Sequence, residues 1–352
     1  MENYLTEFKK KPLIAIALSG GVDSLVAAHL LKEQGYPLVG IHFLTGYDHS
    51  DTAQLRHIAA QLGIDLEIAD IRKEFDEKVV AYFTQTYREC RTPNPCLLCN
   101  PMIKFKTIAD IARKLGAAYL ATGHYARIIR TEKYHLHKGL DSLKDQSYFL
   151  AFLSQEQLSY ACFPLGNMSK QTVKKIAEEK GLMPIHKTES QDICFIRGKS
   201  YGDFLEDHGF KPEPGTILTT NGKIIGKHQG LHRFTIGQRK GINCPASEPY
   251  YVVKIDRTDN RLIVGFKPDL LSSECKVAKI HWMNEKPDFP IEVHTRVRYR
   301  HHAAPSVILP LDETQVIVRF HVPQEAVTPG QGAVFYYGDE VIGGGFIEEV
   351  YA

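Results

Sequence analysis

A short stretch rich in glycine and serine, residues 19–24 with the sequence Ser-Gly-Gly-Val-Asp-Ser, constrains the fold of this chain more than any other feature. It follows the apolar run 13–18 and precedes the helical pattern 25–34, so it lies at a strand-to-helix turn. Two glycines let the backbone curl so that successive N–H groups face one oxyanion, and the start of the helix adds its dipole. The pattern predicts a phosphate-binding loop, which requires a strand before it and a helix after it.

The residue types in this loop indicate how it would hold a phosphate. No lysine follows the second glycine, so the stretch is not the Gly-Lys-Ser/Thr loop of ordinary nucleoside triphosphatases. Backbone N–H groups and the hydroxyls of Ser19 and Ser24 would therefore bind the phosphates, and Asp23 is placed to orient a Mg²⁺ ion on them. The alternative is an ordinary turn that favours Gly, Ser and Asp, and the run of consecutive fitting residues argues against it.

Length, charge and cysteine content restrict the class of protein. At 352 residues the chain exceeds the usual size of one hydrophobic core, so we expect two or three domains. The formal net charge of +2 neither requires nor excludes a nucleic-acid partner. Seven cysteines, an odd number, favour thiol or metal chemistry over a disulfide framework. Residues 1–11 show no targeting pattern, so we expect a cytoplasmic location and no membrane segment.

The first third of the chain alternates short β-branched runs with amphipathic segments. Strands are predicted at residues 13–18, 38–43, 66–69 and 119–122, with helical spacing at 55–62 and 108–115. This alternation predicts an α/β fold built on a doubly wound parallel sheet, which binds its ligands at the carboxyl ends of the strands. The phosphate loop, Phe43 and the pair Gly123–His124 all lie at such ends.

After Gly215, short strand-like runs punctuated by Gly and Pro replace the helical patterns. They predict a small β-rich central domain followed by a C-terminal β-barrel-like domain. Asn221–Gly222 predicts a type I′ hairpin turn, and residues 293–300 predict a strand that carries three arginines on one face as a track for phosphates. The predicted domain boundaries are 1–208, 209–280 and 281–352.

The phosphate loop resembles the Ser-Gly-Gly-x-Asp-Ser signature of the ATP pyrophosphatase superfamily. This resemblance implies an adenine nucleotide hydrolase-like fold for the first domain. It also implies that ATP is cleaved between its α- and β-phosphates and that AMP is transferred to an oxygen of an acceptor. The loop by itself leaves the acceptor open.

Cys96 and Cys99 form a Cys-x-x-Cys pair in a proline-containing loop. Such a pair can be a redox dithiol, half of a metal site, or a nucleophile with a neighbour that lowers its pKa. Core filler is a weaker interpretation, because a polar loop stiffened by prolines is a poor place for apolar cysteines. Cys194 alone would be interpreted as a buried cysteine between two apolar residues. Together with ATP activation, two separate thiols could replace an oxygen with sulfur, carried as a persulfide on one thiol and released by the other.

Further blocks along nearly the whole chain resemble the tRNA-specific 2-thiouridylase family. They are residues 92–100, Gly123–His124, Lys144–Asp145–Gln146, 190–195 and 234–241. The resemblance implies ATP-dependent thiolation at C2 of the wobble uridine in tRNAs for Lys, Glu and Gln. It implies tRNA and a cysteine desulfurase or sulfur-relay protein as partners, with ATP and Mg²⁺ as cofactors.

The resemblance also implies roles for individual residues, taken position by position. ATP would be bound by Ala17, Leu18, Ser19, Gly20, Gly21, Val22, Asp23, Ser24, Phe43 and Gly123. Cys194 would carry the persulfide, and Cys99 would be the nucleophile that can form a disulfide with it. The target base would meet Asn94, Pro95 and Cys96. Other contacts to tRNA would come from His124, Lys144, Asp145, Gln146, Arg298, Tyr299 and Gln331.

One position departs from the family pattern, because Cys96 stands where many members have aspartate. A carboxylate could accept a proton there, whereas a thiol is a weak donor and a soft metal ligand. Thiolates at Cys96, Cys99 and Cys194 could hold an Fe–S cluster with one iron open to sulfide, so persulfide and cluster-bound sulfide are both open. More distant alternatives are a small-molecule ligase of the same superfamily and an RNA-binding adaptor without activity, and neither needs the cysteine set.

Overall fold

The structure is a computed structural model that describes residues 11–47, 52–185, 193–196 and 198–351. Its strands are β1 Ile14–Ala17, β2 Leu38–Leu44, β3 Asp65–Asp70, β4 Tyr119–Ala121, β5 Ala126–Arg130, β6 Tyr134–Lys138, β7 Ala161–Cys162, β8 Gly215–Thr219, β9 Ile224–His228, β10 Tyr251–Asp256, β11 Arg261–Gly265, β12 Leu271–Trp282, β13 Ile291–Arg296, β14 Ala304–Pro310, β15 Gln315–Glu325, β16 Gly332–Tyr337 and β17 Glu340–Tyr351. Its α-helices are α1 Val22–Glu33, α2 Thr52–Leu62, α3 Arg72–Phe75, α4 Ala81–Arg88, α5 Pro95–Cys99, α6 Ala109–Lys114, α7 Gln155–Tyr160, α8 Lys170–Glu179 and α9 Tyr201–Asp207. In these ranges no helix is both long and apolar enough to cross a membrane.

The N-terminal part is a parallel sheet covered by helices on both faces, as the alternating pattern predicts. The strand order is β3-β2-β1-β4-β7, and each neighbouring pair is parallel. Ile14 and Ile16 of β1 pack into one core with α1 and α8, whereas Ala15 packs into a second core with the helices that follow β3. The strand order reverses at β1, so the loop after β1 lies at the switch point where such sheets bind ligands.

The central part is a separate four-stranded sheet of order β10-β11-β8-β9. Its small core contains Ile217, Val252 and Leu262. The predicted type I′ turn between β8 and β9 is wrong, because such a turn needs positive φ at both central residues and, of the Asn221–Gly222 pair, only Gly222 has it, at 83°. The loop is also longer than two residues, since β8 ends at Thr219 and β9 begins at Ile224.

The C-terminal part is a closed antiparallel barrel, which confirms the predicted barrel-like domain. Its strands follow the order β12-β15-β14-β13-β16-β17, and a β12–β17 pairing closes the ring. All of β12 belongs to this barrel, including its residues before 281. The sequence analysis missed the hairpin β5–β6 of the N-terminal part, which joins the barrel sheet where His137 pairs with Glu340.

The arginine track predicted for residues 293–300 is wrong. Strand β13 ends at Arg296, and the backbone then turns, with the His301 amide donating to the Arg298 carbonyl at 3.0 Å. The three arginines therefore do not share one face of a strand. Arg296 instead points into the junction between the barrel and the N-terminal part, where it pairs with Asp145.

Candidate active site

The predicted phosphate loop forms a tight turn between β1 and α1. Gly20 has a φ of +80°, a conformation that residues with a Cβ rarely adopt. The Ser24 hydroxyl donates to the Gly21 carbonyl at 3.0 Å, and its oxygen lies 3.3 Å from the Ser19 hydroxyl. The two predicted hydroxyl donors therefore lie side by side within one turn.

Gly123 brings the end of β4 directly against this loop. A Cβ at position 123 would lie 2.9 Å from the backbone carbon of Asp23 and 2.9 Å from the Ser24 nitrogen, distances that only glycine avoids. Phe43 lies near the end of β2, half-buried against the core on one face of the sheet. Both residues implied for the adenine side thus lie at the carboxyl ends of the strands that flank β1.

Asp23 has a partner that the sequence analysis did not single out. Its two carboxylate oxygens each accept a hydrogen bond from the Lys170 ammonium at 2.7 Å, and one of them also accepts from the Tyr125 hydroxyl at 2.7 Å. The Lys170 side chain is only 8% exposed, whereas the Asp23 side chain is 31% exposed, so the carboxylate stays accessible while its cation is buried. A Mg²⁺ ion would bind a carboxylate together with phosphate oxygens. Asp23 fits as one such ligand if it shares its oxygens with Lys170.

Replacing Lys170 with methionine is expected to raise the Kd for ATP about tenfold or more. The substitution leaves the Asp23 carboxylate without its cation beside a loop that must accept a polyanion, and it removes a positive charge from the same place. Isothermal titration with a non-hydrolysable ATP analogue measures the effect. Lys175→Met on the same helix is the control, because Lys175 is exposed and pairs with Glu179. Equal affinities for the two variants would show that Lys170 has no part in nucleotide binding.

The cysteine loop opens a helical run that starts at Pro95. Proline at the first helical position suits the helix start because its missing N–H needs no partner there. The barrel fixes this loop from outside, since the Gln331 side-chain amide donates to the carbonyls of Thr92 and Pro93 at 3.1 and 2.9 Å. A predicted tRNA-contact residue is therefore bonded directly to the segment that leads to Cys96.

The three thiols of interest share one electrostatic environment. Cys96 and Cys99 are half-buried, and Cys194 is exposed. Burial raises the pKa of Cys96 to about 11, and the neighbouring Cys194 acts in the same direction. Burial also raises the pKa of Cys99, while the Lys104 ammonium opposes that shift. The thiols of Cys96 and Cys99 are therefore protonated at neutral pH until a charge or a base assists them.

Cys194 is exposed rather than buried between its apolar neighbours. The next residue, Phe195, belongs to an aromatic cluster. Its ring centroid lies 5.3 Å from that of Phe83 and 5.4 Å from that of Phe204. This anchor holds the Cys194 segment against the N-terminal part while the thiol faces outward. The neighbouring residues 190–192, which complete the predicted block, lie outside the described residues.

The residues present do not fit the Fe–S alternative. Within the described ranges, no group of three or more His, Cys, Asp or Glu side chains is placed to hold a metal ion. Cys96, Cys99 and Cys194 lie within those ranges, and a cluster needs its thiolates to converge on the irons.

His124 connects the phosphate loop to the cysteines. It follows Gly123, and its Nε2 lies 3.3 Å from the Lys104 Nζ. Because a lysine ammonium can only donate, Nε2 accepts this bond, and the proton on Nδ1 is donated to the Thr122 hydroxyl oxygen at 2.7 Å. Burial, assisted by Lys104, holds the pKa of His124 well below its usual value, so the imidazole is neutral.

Several residues expected to contact tRNA are engaged within the protein. Asp145 is 3% exposed and pairs with Arg296 at 2.9 Å. The Gln146 side chain accepts from the Tyr125 amide at 3.0 Å, and Arg298 donates to the Glu325 carbonyl at 2.9 Å. Asp145 thus holds two domains together and offers little surface to a ligand.

The rest of this set ranges from half-buried to buried. Tyr299 packs on Phe149 with the rings tilted by 31° and their centroids 4.4 Å apart, and Lys144 is half-buried in the turn that begins at Asp141. Asn94 is almost fully buried at the start of the cysteine helix, and Pro95 follows it. These residues line the junction between the barrel and the N-terminal part.

Sequence reasoning missed Lys104 and Lys170. Lys170 follows the N-cap Ser169 at the first position of α8, where the helix dipole disfavours a cation. That unfavourable placement was a usable signal. Lys104 carried no comparable signal, because its neighbours Cys99 and His124 come together only in the folded chain.

Comparison with known proteins gives matches along nearly the whole chain. Three family models match: the tRNA methyl transferase HUP domain over residues 12–198, the tRNA methyl transferase PRC-barrel domain over 202–266, and the aminomethyltransferase beta-barrel domain over 272–347.

Two similar relatives are both named tRNA-specific 2-thiouridylase MnmA. The protein from Desulfosudis oleivorans is 50% identical over 339 residues, which cover 96% of this chain and 95% of the relative. The protein from Syntrophotalea carbinolica is 44% identical over 350 residues, which cover 96% and 99%. Among solved structures, a 4-thiouridine synthetase in complex with RNA and ATP is 20% identical, covers 56% of this chain and 50% of that chain, and has a TM-score of 0.37.

Proposed function

This chain belongs to the tRNA-specific 2-thiouridylase family, and we propose that it uses ATP to replace O2 of the wobble uridine in tRNAs for Lys, Glu and Gln with sulfur. The observation that carries the proposal is the short connection between the two halves of the site. Gly123 touches the phosphate loop, and His124 holds Lys104 beside the thiols of Cys96 and Cys99. An ATP phosphate and a reactive sulfur can therefore meet at one base.

The first half-reaction is adenylation of the base. Uridine O2 forms a bond to the α-phosphorus of ATP, the bond to the bridging oxygen breaks, and pyrophosphate leaves with its electron pair. Backbone N–H groups of the loop and the hydroxyls of Ser19 and Ser24 would stabilise the departing charge. Mg²⁺ on Asp23, when bound, would neutralise the phosphates.

The second half-reaction is sulfur transfer. The terminal sulfur of a persulfide on Cys194 attacks C2, and AMP leaves with O2. The Cys99 thiolate attacks the Cys194 sulfur, which releases the transferred sulfur onto the base and leaves a Cys99–Cys194 disulfide for an external thiol to reduce. The exposure of Cys194 supports its loading by a protein donor such as a cysteine desulfurase or a relay protein.

Asn94, Pro95 and Cys96 are the residues we assign to the flipped base, and Gln331 would hold their loop while the barrel binds the RNA. We also assign His124 and Gln146 to contacts with the anticodon region. Lys144, Arg298 and Tyr299 remain assigned to the anticodon stem-loop.

In vitro thiolation of a tRNA for Lys tests the proposal. The mixture holds ATP, a cysteine desulfurase and cysteine, and the product is 2-thiouridine measured by mass spectrometry of the nucleosides. The matched control is the same transcript with cytidine at the wobble position, which should acquire no sulfur. Pyrophosphate release that does not depend on tRNA would instead favour the small-molecule ligase, and the absence of release would favour the adaptor.

A further inference from the structure

Lys104 is a half-buried cation without a carboxylate partner among the described residues. Its one hydrogen bond there goes to the neutral imidazole of His124 at 3.3 Å. Lys106, two residues on, shows the usual arrangement, since it is exposed and pairs with Asp110 at 3.1 Å. Holding a cation partly out of water and away from a counter-ion costs free energy, so the position of Lys104 favours an anion that arrives with the substrate.

The backbone places this lysine next to Cys99, the thiol that releases the transferred sulfur from Cys194. Residues Asn100–Ile108 form a π-helical segment directly after Cys99, and the Ala109 amide bonds to the Lys104 carbonyl five residues back. Five-residue spacing brings Lys104 onto the side of the helix that carries Cys99, where an α-helix would turn it away. The ammonium accordingly acts on the thiols of both Cys96 and Cys99.

The chemistry of the adenylated base indicates that the α-phosphate also lies near Lys104. The carbon that receives sulfur, C2, carries O2, and in the adenylated base O2 carries the α-phosphorus. While sulfur adds to C2, three bonds (S–C2, C2–O2 and O2–P) separate it from the α-phosphorus, so a cation beside the thiols that handle this sulfur lies close to the α-phosphate. Lys104 also bonds to His124, and the residue before His124, Gly123, lies against the phosphate loop at Asp23. An α-phosphate that is held by the loop and bonded to the base would therefore lie between the loop and the thiols, within reach of Lys104.

We propose that Lys104 is a catalytic residue that binds a non-bridging oxygen of the ATP α-phosphate and stabilises the charge that develops there as uridine O2 attacks. The same contact assists the departure of AMP when sulfur attacks C2. His124 acts as the positioning residue, because its Nε2 accepts from Lys104 and its Nδ1 is fixed by Thr122. This inference rests on the proposed function, since it needs an RNA oxygen as the acceptor.

The test compares Lys104→Met and Lys104→Arg with the unchanged protein in tRNA-dependent pyrophosphate release. Loss of one such donor lowers kcat by about 10²- to 10³-fold, so we expect that loss in Lys104→Met with little change in the KM for ATP, and partial rescue in Lys104→Arg. The matched control is Lys106→Met, which should keep the full rate. Circular dichroism and melting temperature establish that the variants fold.

A phosphorothioate distinguishes direct contact from an indirect effect. The unchanged protein should be slowed by one diastereomer of ATPαS, and Lys104→Met should lose most of that discrimination. Equal kcat in Lys104→Met, or an unchanged thio effect, overturns the inference. A lower rate of Cys99 alkylation in Lys104→Met with normal pyrophosphate release would also overturn it, because the lysine would then serve the thiol alone. If the unchanged protein releases no pyrophosphate with tRNA, the proposed function fails instead.

Discussion

Replacing Cys99 or Cys194 with serine is expected to lower the thiolation of tRNA by about 10³-fold or more, because a hydroxyl can neither carry a persulfide nor displace one. The two variants should still bind ATP, since neither side chain takes part in the phosphate loop. The measurement is 2-thiouridine formed per tRNA in the reconstituted reaction. Full activity in either variant would remove that thiol from the mechanism.

The same variants separate the two half-reactions. Adenylation precedes sulfur transfer, so Cys194→Ser should still release pyrophosphate when tRNA is added, and it should do so without forming 2-thiouridine. Cys244→Ser is the matched control, because Cys244 lies in the central domain and is half-buried like Cys99, and burial raises the pKa of both thiols. That variant should thiolate tRNA at the normal rate.

Cys96 discriminates the persulfide route from a three-cysteine cluster. The persulfide route uses two thiols, so Cys96→Ser should keep at least about a tenth of the activity, with any loss due to weaker contact with the base. A loss as large as that of Cys99→Ser, together with iron and sulfide in anaerobically purified protein, would restore the cluster interpretation.

The α/β domain and its phosphate loop could be predicted because each depends on residues close in sequence. The alternation of buried and amphipathic segments determines the parallel sheet, and the Gly-Gly pair of the loop determines the turn after β1. The thiols at Cys96 and Cys99 could be singled out for the same reason, since their spacing and the flanking prolines are local.

What could not be predicted depends on contacts between distant parts of the chain. Hairpin β5–β6 is polar on its exposed side and gives a weak strand pattern until β17 pairs with it. Lys170 belongs to the site because the fold brings it to Asp23. Asp145 has a structural role because the barrel brings Arg296 to it. The cation at the first position of α8 indicates an acidic partner but does not identify Asp23, and the sequence contains no local sign of the pair between Asp145 and Arg296. The strand predicted at residues 293–300 is wrong for the same reason, because Arg296 turns inward and pairs with the buried carboxylate of Asp145.

Replacing Arg296 with methionine is expected to lower the free energy of unfolding by about 3–5 kcal/mol. Asp145 lies buried and accepts from Arg296 at 2.9 Å, and its other bonds come from the amides of Gly139 and Ser147 and from the Ser147 hydroxyl, each at 3.0 Å. Methionine fills part of the volume but leaves the carboxylate charge without a cation in the interior, which is the costly way to break such a pair. Urea unfolding followed by fluorescence measures the loss, because the single tryptophan, Trp282, lies in barrel strand β12.

The double variant tests whether the uncompensated charge is the cause. Asp145→Asn combined with Arg296→Met removes both charges and keeps a polar group for the backbone amides, so it should recover a large part of the lost stability. Arg319→Met is the control within the barrel, since Arg319 is exposed and its pair with Glu274 should contribute less than about 1 kcal/mol. If Arg296→Met unfolds at the same urea concentration as Arg319→Met, the buried pair does not hold the barrel against the N-terminal part. Because Gln331 reaches the cysteine loop only when the barrel is docked, Arg296→Met should also thiolate tRNA more slowly while it still binds ATP normally.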